Sequence, residues 1–300
     1  MEAWDRKVAE AISASRQTIS EHITIYPADD RFTGPLPSIL VLPGGGYREH
    51  PPHEGDGYAR WLSRIGLHAF VLHYRLLPDR FPAPLEDTRA GLDYIRNGDH
   101  GLDTGQVGVI GSSAGGHLAG LVMTGTVLSI EDGVTDPPRP DFAILAYALA
   151  DFDLLPPPAV EGLLGELITL KDELSPARHV DSTVCPTFVW ATAQDPPGLP
   201  NALEWTRALA EAEVPVELHI YPHVDTASVW PTASNTAAGA TSSSLRMRTR
   251  PPGPTHARYG CGAKAFSSSD VRTAREAVAA HSQPLRLSGE NGDASGPDRL

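Results

Sequence analysis

Residues 106–123 read QVGVIGSSAGGHLAGLVM, and this stretch decides the fold. A β-branched apolar run is followed by GSSAG at residues 111–115 and then by a helix-like segment. This is the pattern G-x-S-x-G between a strand and a helix, in which a sharp turn lifts the middle serine above the end of a sheet. Glycine is needed on both sides of the serine because a side chain there would collide with the neighbouring strand and helix. The segment predicts Ser113 as a nucleophile at a helix N-terminus, where the helix dipole favours a nearby oxyanion.

Outward from this stretch, strand-like and helix-like segments alternate along the chain. The strand candidates are residues 22–26, 38–42, 68–74, 106–110, 142–146, 187–191 and 217–221, and the helix candidates are residues 57–65, 84–96, 115–125 and 201–212. This alternation predicts an α/β fold with a mostly parallel sheet covered by helices on both faces. One α/β domain over residues 1–223 accounts for all of these segments.

The composition narrows the function class. The 300 residues carry a net charge of −13, which argues against nucleic acid or an anionic membrane as a partner. The chain lacks an apolar run of the ~18 residues that a membrane span needs, and residues 1–17 lack the apolar stretch of a signal peptide. Cys185 and Cys261 show no metal-ligand spacing and cannot form a disulfide framework. We expect a soluble, cytoplasmic protein without a metal site, and its oligomeric state stays open.

A second motif, PGGGY at residues 43–47, comes directly after the strand SILVL. Consecutive glycines at a strand end let backbone N–H groups approach a ligand without interference from Cβ atoms. In a hydrolase, the N–H groups of Gly45 and Gly46 would form half of an oxyanion hole, and that of Ala114 the other half. Tyr47 adjoins the glycines and is therefore the candidate for a substrate-binding side chain.

Four segments in this order carry a resemblance to a known family: PGGGY, YRLLPDRFPAPLEDTRAGLDYIR, GSSAGGHLAG and SPARHVDSTVCPTFVWATAQD. Together they resemble α/β-hydrolase serine esterases of the acetyl-xylan esterase and carbohydrate-esterase-like group, related to the hormone-sensitive-lipase type. The resemblance covers roughly residues 20–223, with a proline where the lipase-like enzymes have the histidine of HGGG. It implies the α/β-hydrolase fold, hydrolysis of short acyl esters and no cofactor.

The acid of a catalytic triad is expected after the next-to-last strand of the sheet. Asp195 lies just beyond the strand TFVWA and matches the family position of the residue that orients the catalytic histidine. Asp151 and Asp153 are rivals because some α/β hydrolases take this acid from the preceding strand. Asp195 is the preferred assignment.

The catalytic histidine is missing from its expected place. A serine hydroxyl needs a neighbouring base to accept its proton, and the family supplies a histidine in a G-x-H-G turn after the last strand. Here the chain reads HIYPHVDTASVWPT, and the residue in that position is Thr226. His223 is the nearest substitute, although it matches the residue before the family's turn. His117 is expected to pack against or cap its helix, and His219 to lie in the core or on the surface of the sheet.

The chain changes character after His223. Residues 224–300 carry a net charge of +3, against −16 for the residues before them, and are rich in Ser, Ala, Thr, Gly and Pro. Back-translation of residues 223–232 with one added guanosine after the first codon gives His-Gly-Arg-His-Gly-Val-Gly-Leu-Ala-Asp, which looks like the family's histidine turn. We therefore interpret residues 224–300 as a frameshifted, low-complexity and disordered tail, and the hydrolase domain as lacking its last loop and helix.

Two other functions stay open on the sequence alone. A serine peptidase of the acylaminoacyl or dipeptidyl type would share the fold and the G-x-S-x-G motif, but such enzymes usually carry an additional β-propeller. The second alternative is a catalytically inactive protein with the hydrolase fold, because the catalytic histidine is absent from its expected position. The leading prediction is a serine hydrolase of short-chain carboxylic esters, acting on a small-molecule ester and impaired in this chain.

Overall fold

The computed structural model describes residues 19–222, and these residues form one seven-stranded sheet with helices. The strands are β1 (Ile23–Tyr26), β2 (Leu36–Leu42), β3 (His68–Leu72), β4 (Thr104–Ser112), β5 (Ala143–Ala146), β6 (Thr187–Thr192) and β7 (Val216–Tyr221). Their order across the sheet is β1-β3-β2-β4-β5-β6-β7. Only β1 is antiparallel to its neighbour, and all other pairs are parallel.

The strand order creates a crevice at the carboxyl ends of the central strands. From β2 the chain crosses to β3 on one side, and β4 then pairs with β2 on the other side. Such a reversal between neighbouring parallel strands opens a crevice at their carboxyl ends, where ligands bind in open α/β sheets. Leu42 at the end of β2 is paired with Gly111, which in turn is paired with Leu145 of β5. The loops after β2, β4 and β5 therefore begin side by side.

Five α-helices connect the strands of this part of the chain. They are α1 (Asp56–Arg64), α2 (Ala83–Asn97), α3 (Ser113–Met123), α4 (Pro157–Leu164) and α5 (Gly198–Glu211), with 3₁₀ turns at Phe152–Leu154, Gly165–Leu170 and Pro176–His179. Helix α3 is the most enclosed, since every residue from Ala114 to Met123 is buried. Trp205 of α5 is fully buried and packs against α3 at Gly120, where a Cβ atom would meet the indole ring.

Burial along the strands reflects their place in the sheet. β3, β5 and β6 are buried at every residue, as strands covered on both faces are. β7 lies at the edge and is partly exposed throughout, with Ile220 43% exposed. Within residues 19–222 no helix is long and apolar enough to span a bilayer.

The predicted α/β architecture is confirmed, and the seven predicted strands all form. Their ends differ by a few residues, and β3 stops at Leu72, two residues before the predicted end. Helix α4 was not predicted because PPAVEGLL at residues 157–164 is short and begins with two prolines. Proline is compatible with the first turn of a helix, since the N–H that it lacks would have no intrahelical partner there. The predicted boundary between residues 223 and 224 lies outside the described residues.

Candidate active site

Ser113 lies at the sharp turn between β4 and α3, as the motif predicts. Its φ of +49° is in the left-handed region, which a non-glycine residue rarely adopts. The turn is enforced by its glycines: a Cβ atom on Gly111 would overlap the backbone of Gly115, and one on Gly115 would overlap the carbonyl oxygens of Leu42 and Pro43. The backbone there is strained and tightly enclosed, as expected at the sharp turn of the motif, and the role of Ser113 as nucleophile stays a prediction.

The two serines of the motif have different environments. Ser112 is fully buried, and its hydroxyl lies 2.7 Å from the hydroxyl of Tyr58 on α1. Ser113 is partly exposed, and none of the described residues forms a hydrogen bond with its hydroxyl. Ser113 is therefore the serine of the pair that a ligand can reach.

The glycine loop after β2 reaches across to Ser113. Gly45 and Gly46 have φ values of +94° and +61°, which glycine adopts without steric cost. A Cβ atom on the buried Gly44 would lie only 3.3 Å from the Cβ of Ser113 and 2.9 Å from the carbonyl oxygen of Ser112. The loop therefore packs directly on the nucleophile turn, and glycine at residue 44 permits this approach.

Three backbone N–H groups that could bind an oxyanion lie in the glycine loop and the Ser113 turn. The Ala114 N–H belongs to the first turn of α3, whose N–H groups have no intrahelical acceptor. Within residues 19–222, the N–H groups of Gly45 and Gly46 have no protein acceptor, whereas that of Gly44 donates to Glu54. The predicted donors thus lie in the loop and the turn that pack together, and their catalytic role stays a prediction.

Tyr47 has an inward-facing side chain that supports the glycine loop. It is 5% exposed, and its ring packs edge-on against those of Tyr74 and Phe81. Its hydroxyl lies 2.6 Å from Nδ1 of His117, whose Nε2 lies 2.6 Å from the carbonyl oxygen of Leu174. The prediction that Tyr47 binds substrate stays a prediction, and in this structure its hydroxyl is engaged by His117.

The chemistry of these partners assigns the tautomer of His117. A carbonyl oxygen only accepts hydrogen bonds, so Nε2 carries the proton and Nδ1 accepts the hydroxyl of Tyr47. Burial lowers the pKa of His117 to about 4, which keeps the imidazole neutral at neutral pH. His117 thus packs within the domain, as predicted, and both of its ring nitrogens are bonded to partners other than Ser113.

A buried carboxylate that sequence reasoning missed lies beneath the loop. Glu54 is 6% exposed, and its Oε2 accepts the Gly44 N–H at 2.5 Å. Its Oε1 accepts the hydroxyl of Tyr147 at 2.6 Å. Burial, with the nearby Tyr58 and Glu54 adding to it, raises the pKa of Tyr147 well above its usual value, so this hydroxyl stays protonated and donates.

Tyr147 is the second residue that was missed. It comes directly after β5, has a φ of +39°, and packs its ring against Trp190 of β6. A positive φ at a bulky aromatic residue marks a position that the surrounding structure determines strongly. The signal in the sequence was one large polar ring within the run of small and aliphatic residues AILAYALA, at the end of a buried strand.

Asp195 lies three residues beyond β6, at the start of α5. It is 6% exposed, and its Oδ1 accepts the N–H of Gly198 at 3.0 Å. A Cβ atom on Gly198 would meet both the carboxyl group of Asp195 and the Cβ of Tyr147. Asp195 therefore lies at the same edge of the sheet as Ser113, held by a helix N-terminus that favours its charge.

The two rival acids, Asp151 and Asp153, both form ion pairs with basic side chains. Asp151 receives two hydrogen bonds from the guanidinium of Arg178, at 2.7 and 2.9 Å. Asp153 is more than half exposed and pairs with Lys171 and Arg178. Both carboxylates thus fix the loop after β5 by ion pairing, which favours Asp195 as the acid.

The described residues supply no base to Ser113. Where a histidine nitrogen in this part of the chain forms a hydrogen bond, its partner is a residue other than Ser113. Examples are His219 with Glu217 and His179 with the carbonyl oxygen of Asp172. The predicted substitute His223 and the family's histidine position, Thr226, lie outside the described residues. Among residues 19–222, no group of three or more His, Cys, Asp or Glu side chains is arranged to hold a metal ion.

These features define the class of protein. A mostly parallel sheet, a strand–serine–helix turn at its centre and a glycine loop on the neighbouring strand are those of an α/β hydrolase. The profile of the BD-FAE family matches residues 24–198, more than half of the chain. The protein belongs to the BD-FAE family of α/β hydrolases, and the predicted resemblance to the acetyl-xylan esterase group is confirmed.

Similar proteins include enzymes that act on carbohydrate polymers and esters. An acetylxylan esterase of Xylanibacter ruminicola is 32% identical over 119 residues, which are 39% of this chain and 23% of that protein. Endo-1,4-beta-xylanase B of Butyrivibrio fibrisolvens is 29% identical over 202 residues, 61% of this chain and 31% of that protein. Among solved structures, an acetyl ester-xyloside bifunctional hydrolase from Caldicellulosiruptor lactoaceticus is 36% identical with a TM-score of 0.59, over 67% of this chain and 77% of that one.

The two curated relatives are much longer than the matched region. This chain spans 23% and 31% of their lengths. The match therefore corresponds to one part of each relative.

Proposed function

We propose that the protein hydrolyses short-chain carboxylic esters through an acyl-enzyme on Ser113. The observation that carries this proposal is the strained turn at Ser113, with a φ of +49°, packed against a glycine loop whose Gly45 and Gly46 N–H groups lack a protein acceptor among the described residues. Backbone donors beside a presented hydroxyl are what an acyl-transfer reaction requires.

The chemistry proceeds in two halves. The Ser113 oxygen attacks the acyl carbon while a base takes its proton, and the carbonyl oxygen becomes an oxyanion held by N–H groups of Gly45, Gly46 and Ala114. Collapse of this intermediate breaks the ester bond, and the leaving alcohol takes the proton back from the base. Water then attacks the acyl-enzyme in the same manner and releases the acid. Asp195 would orient an imidazole base, contributed by residues beyond 222.

The substrate class is inferred from the relatives. The names of an acetylxylan esterase and an acetyl ester-xyloside hydrolase support acetyl esters of carbohydrates as the substrates of this chain. No cofactor enters the proposed reaction.

The decisive experiment compares two chains. One is the unaltered 300-residue chain. The other is expressed from a gene with the single added guanosine, which restores His-Gly-Arg-His-Gly after the last strand. General base catalysis contributes roughly 10²–10⁴-fold, so we expect kcat/KM for p-nitrophenyl acetate to rise by at least about 10²-fold on restoration. Ser113→Ala in each chain gives the background, and equal rates for the restored chain and its Ser113→Ala variant would overturn the proposal.

Two further assays separate the alternatives. Faster turnover of amino-acyl p-nitroanilides than of p-nitrophenyl acetate would favour a peptidase over an esterase. Labelling of the unaltered chain by a fluorophosphonate probe at the rate of its Ser113→Ala variant would favour an inactive hydrolase fold for that chain. Release of acetate from acetylated xylo-oligosaccharides tests the carbohydrate substrate directly.

A further inference from the structure

We propose that Glu54 is a positioning residue that holds the glycine loop in register with Ser113. This inference rests on the proposed esterase function, in which the glycine loop forms part of the oxyanion hole. Glu54 bonds to the Gly44 N–H, so it would act through the backbone of Gly44.

The geometry places the carboxylate at the point where the loop meets the nucleophile. The point that a Cβ atom on Gly44 would occupy is 2.5 Å from Glu54 Oε2 and 3.3 Å from the Cβ of Ser113. The Gly44 N–H donates to that same Oε2 at 2.5 Å. A charged acceptor makes a short, strong bond with a backbone N–H, so Gly44 is held more firmly than by a neutral partner.

This bond also distinguishes the three glycines of the loop. The Gly44 N–H is directed to Glu54, while the N–H groups of Gly45 and Gly46 have no acceptor within residues 19–222. Fixing the first peptide of the loop orients the next two. The value of an oxyanion hole depends on such preorganisation, because donors that must reorient during the reaction lose much of their stabilising effect.

Glu54 is itself held from the far side of the crevice. The Tyr147 hydroxyl donates to its Oε1 at 2.6 Å, and Tyr147 stands at the end of β5, the strand beyond the nucleophile strand. Tyr58, on the helix just after Glu54, lies 2.7 Å from the hydroxyl of Ser112. The carboxylate thus connects the ends of β2 and β5 on either side of Ser113.

The test uses Glu54→Ala and Glu54→Gln in the full chain, with Glu131→Ala as the matched control. Glu131 is also a buried carboxylate that accepts one backbone N–H, from Leu128, and one side-chain donor, Arg89. Deuterium exchange of a peptide covering residues 42–49 is measured by mass spectrometry. Kinetics with p-nitrophenyl acetate are measured in the same proteins and in the frame-restored chain.

We expect Glu54→Ala to speed amide exchange in this peptide at least tenfold, and Glu131→Ala to leave it unchanged. Where turnover exceeds that of Ser113→Ala, kcat should fall roughly 10- to 100-fold with little change in KM, less than the roughly 10²–10³-fold loss of a whole oxyanion donor. Glu54→Gln keeps an acceptor oxygen and should lose less than about tenfold. If the role of Glu54 were merely structural, Glu54→Ala would lower the fraction of active protein but leave the turnover per active site unchanged. Glu54→Gln would then show no smaller loss of kcat than Glu54→Ala.

The outcomes separate the two proposals. Unchanged exchange in Glu54→Ala overturns the positioning role whatever the activity. Faster exchange with unchanged kcat overturns its catalytic consequence. If neither chain turns over ester faster than its Ser113→Ala variant, the esterase function fails, and the exchange result alone decides whether Glu54 holds the loop.

Discussion

The two halves of the proposed active site are held in different ways: the nucleophile half is the glycine loop with the Ser113 turn, and the acid half is Asp195 with the ends of β6 and β7. At the ends of β2 and β4, the glycine loop and the Ser113 turn are in backbone-to-backbone contact, and the last residues of both strands are buried. At the ends of β6 and β7, Asp195 is held by a side-chain bond to the start of α5, and β7 is a partly exposed edge strand. All proposed parts of the nucleophile half therefore lie within the described residues, whereas the proposed mechanism also needs a base from beyond residue 222.

The largest expected effect tests the acid half. In the frame-restored chain, Asp195→Asn should lower kcat for p-nitrophenyl acetate by roughly 10³–10⁴-fold, because the amide cannot stabilise an imidazolium. Asp151→Asn is the matched control, since it weakens the pair with Arg178 and leaves the proton chemistry intact. A greater loss of activity in Asp151→Asn, at full folding by circular dichroism, would move the acid to the strand before.

The next effect tests the nucleophile half. Gly115→Ala would drive a Cβ atom into the carbonyl oxygens of Leu42 and Pro43, which cannot move without breaking the β2–β4 pairing. We expect a loss of at least about 3 kcal/mol in the free energy of unfolding, measured by urea titration. Gly105→Ala, in the same strand–helix unit, would place its Cβ 3.4 Å or more from any neighbour and should change stability by less than about 1 kcal/mol. Equal losses would remove the distinction between a constrained and an ordinary glycine.

The third prediction uses the buried imidazole below the glycine loop. Burial lowers the pKa of His117 to about 4, so between pH 6.5 and 4 the unfolded chain binds a proton that the folded chain does not. Stability from this group is complete above pH 6.5 and falls by up to about 3 kcal/mol as the pH drops to 4.

His117→Gln tests this dependence because glutamine keeps one donor and one acceptor without titrating. Urea unfolding at pH 4, 5 and 6.5 should show a shallower decline in this variant than in the unaltered chain. Since burial also lowers the pKa of His50 to about 4, some decline remains. An identical slope in both proteins would exclude His117 as its source.

The smallest effect lies on the outer surface of the acid half. Arg207 of α5 bridges Glu204 and Glu211, all of them at least partly exposed. Arg207→Gln should change the free energy of unfolding by about 0.5 kcal/mol or less, because water screens exposed pairs. A change above about 2 kcal/mol in urea titration would mean that α5 contributes more to the stability of this half than its exposed pairs suggest.

The sequence predicts the parts of this site that depend on local backbone rules. The strand–serine–helix turn needs small residues at fixed spacing, and the glycine loop needs positive φ values, so both can be recognised in GSSAG and PGGG. Asp195 could be placed because it lies just after a buried strand. All seven strands carry their own apolar pattern.

The supporting residues could not be predicted in this way. Glu54 lies in HEGDGY, where the charged and small residues suggest a solvated loop, and its burial arises only when Gly44 and Tyr147 close over it. His117 finds its acceptor in Leu174, 57 residues away along the chain. Such contacts depend on tertiary packing, and no periodicity or spacing in one sequence records them.

The overlap between a Cβ atom on Gly115 and the carbonyl oxygens of Leu42 and Pro43 has a mechanical consequence. Helix α3 and the end of β2 are locked together, so the nucleophile cannot shift without carrying the central sheet with it. A reversible ligand that binds beside Ser113 only in the native state would therefore raise the melting temperature of the whole sheet. Thermal shift then becomes a sensitive reporter of occupancy, even in a chain whose turnover is too slow to follow.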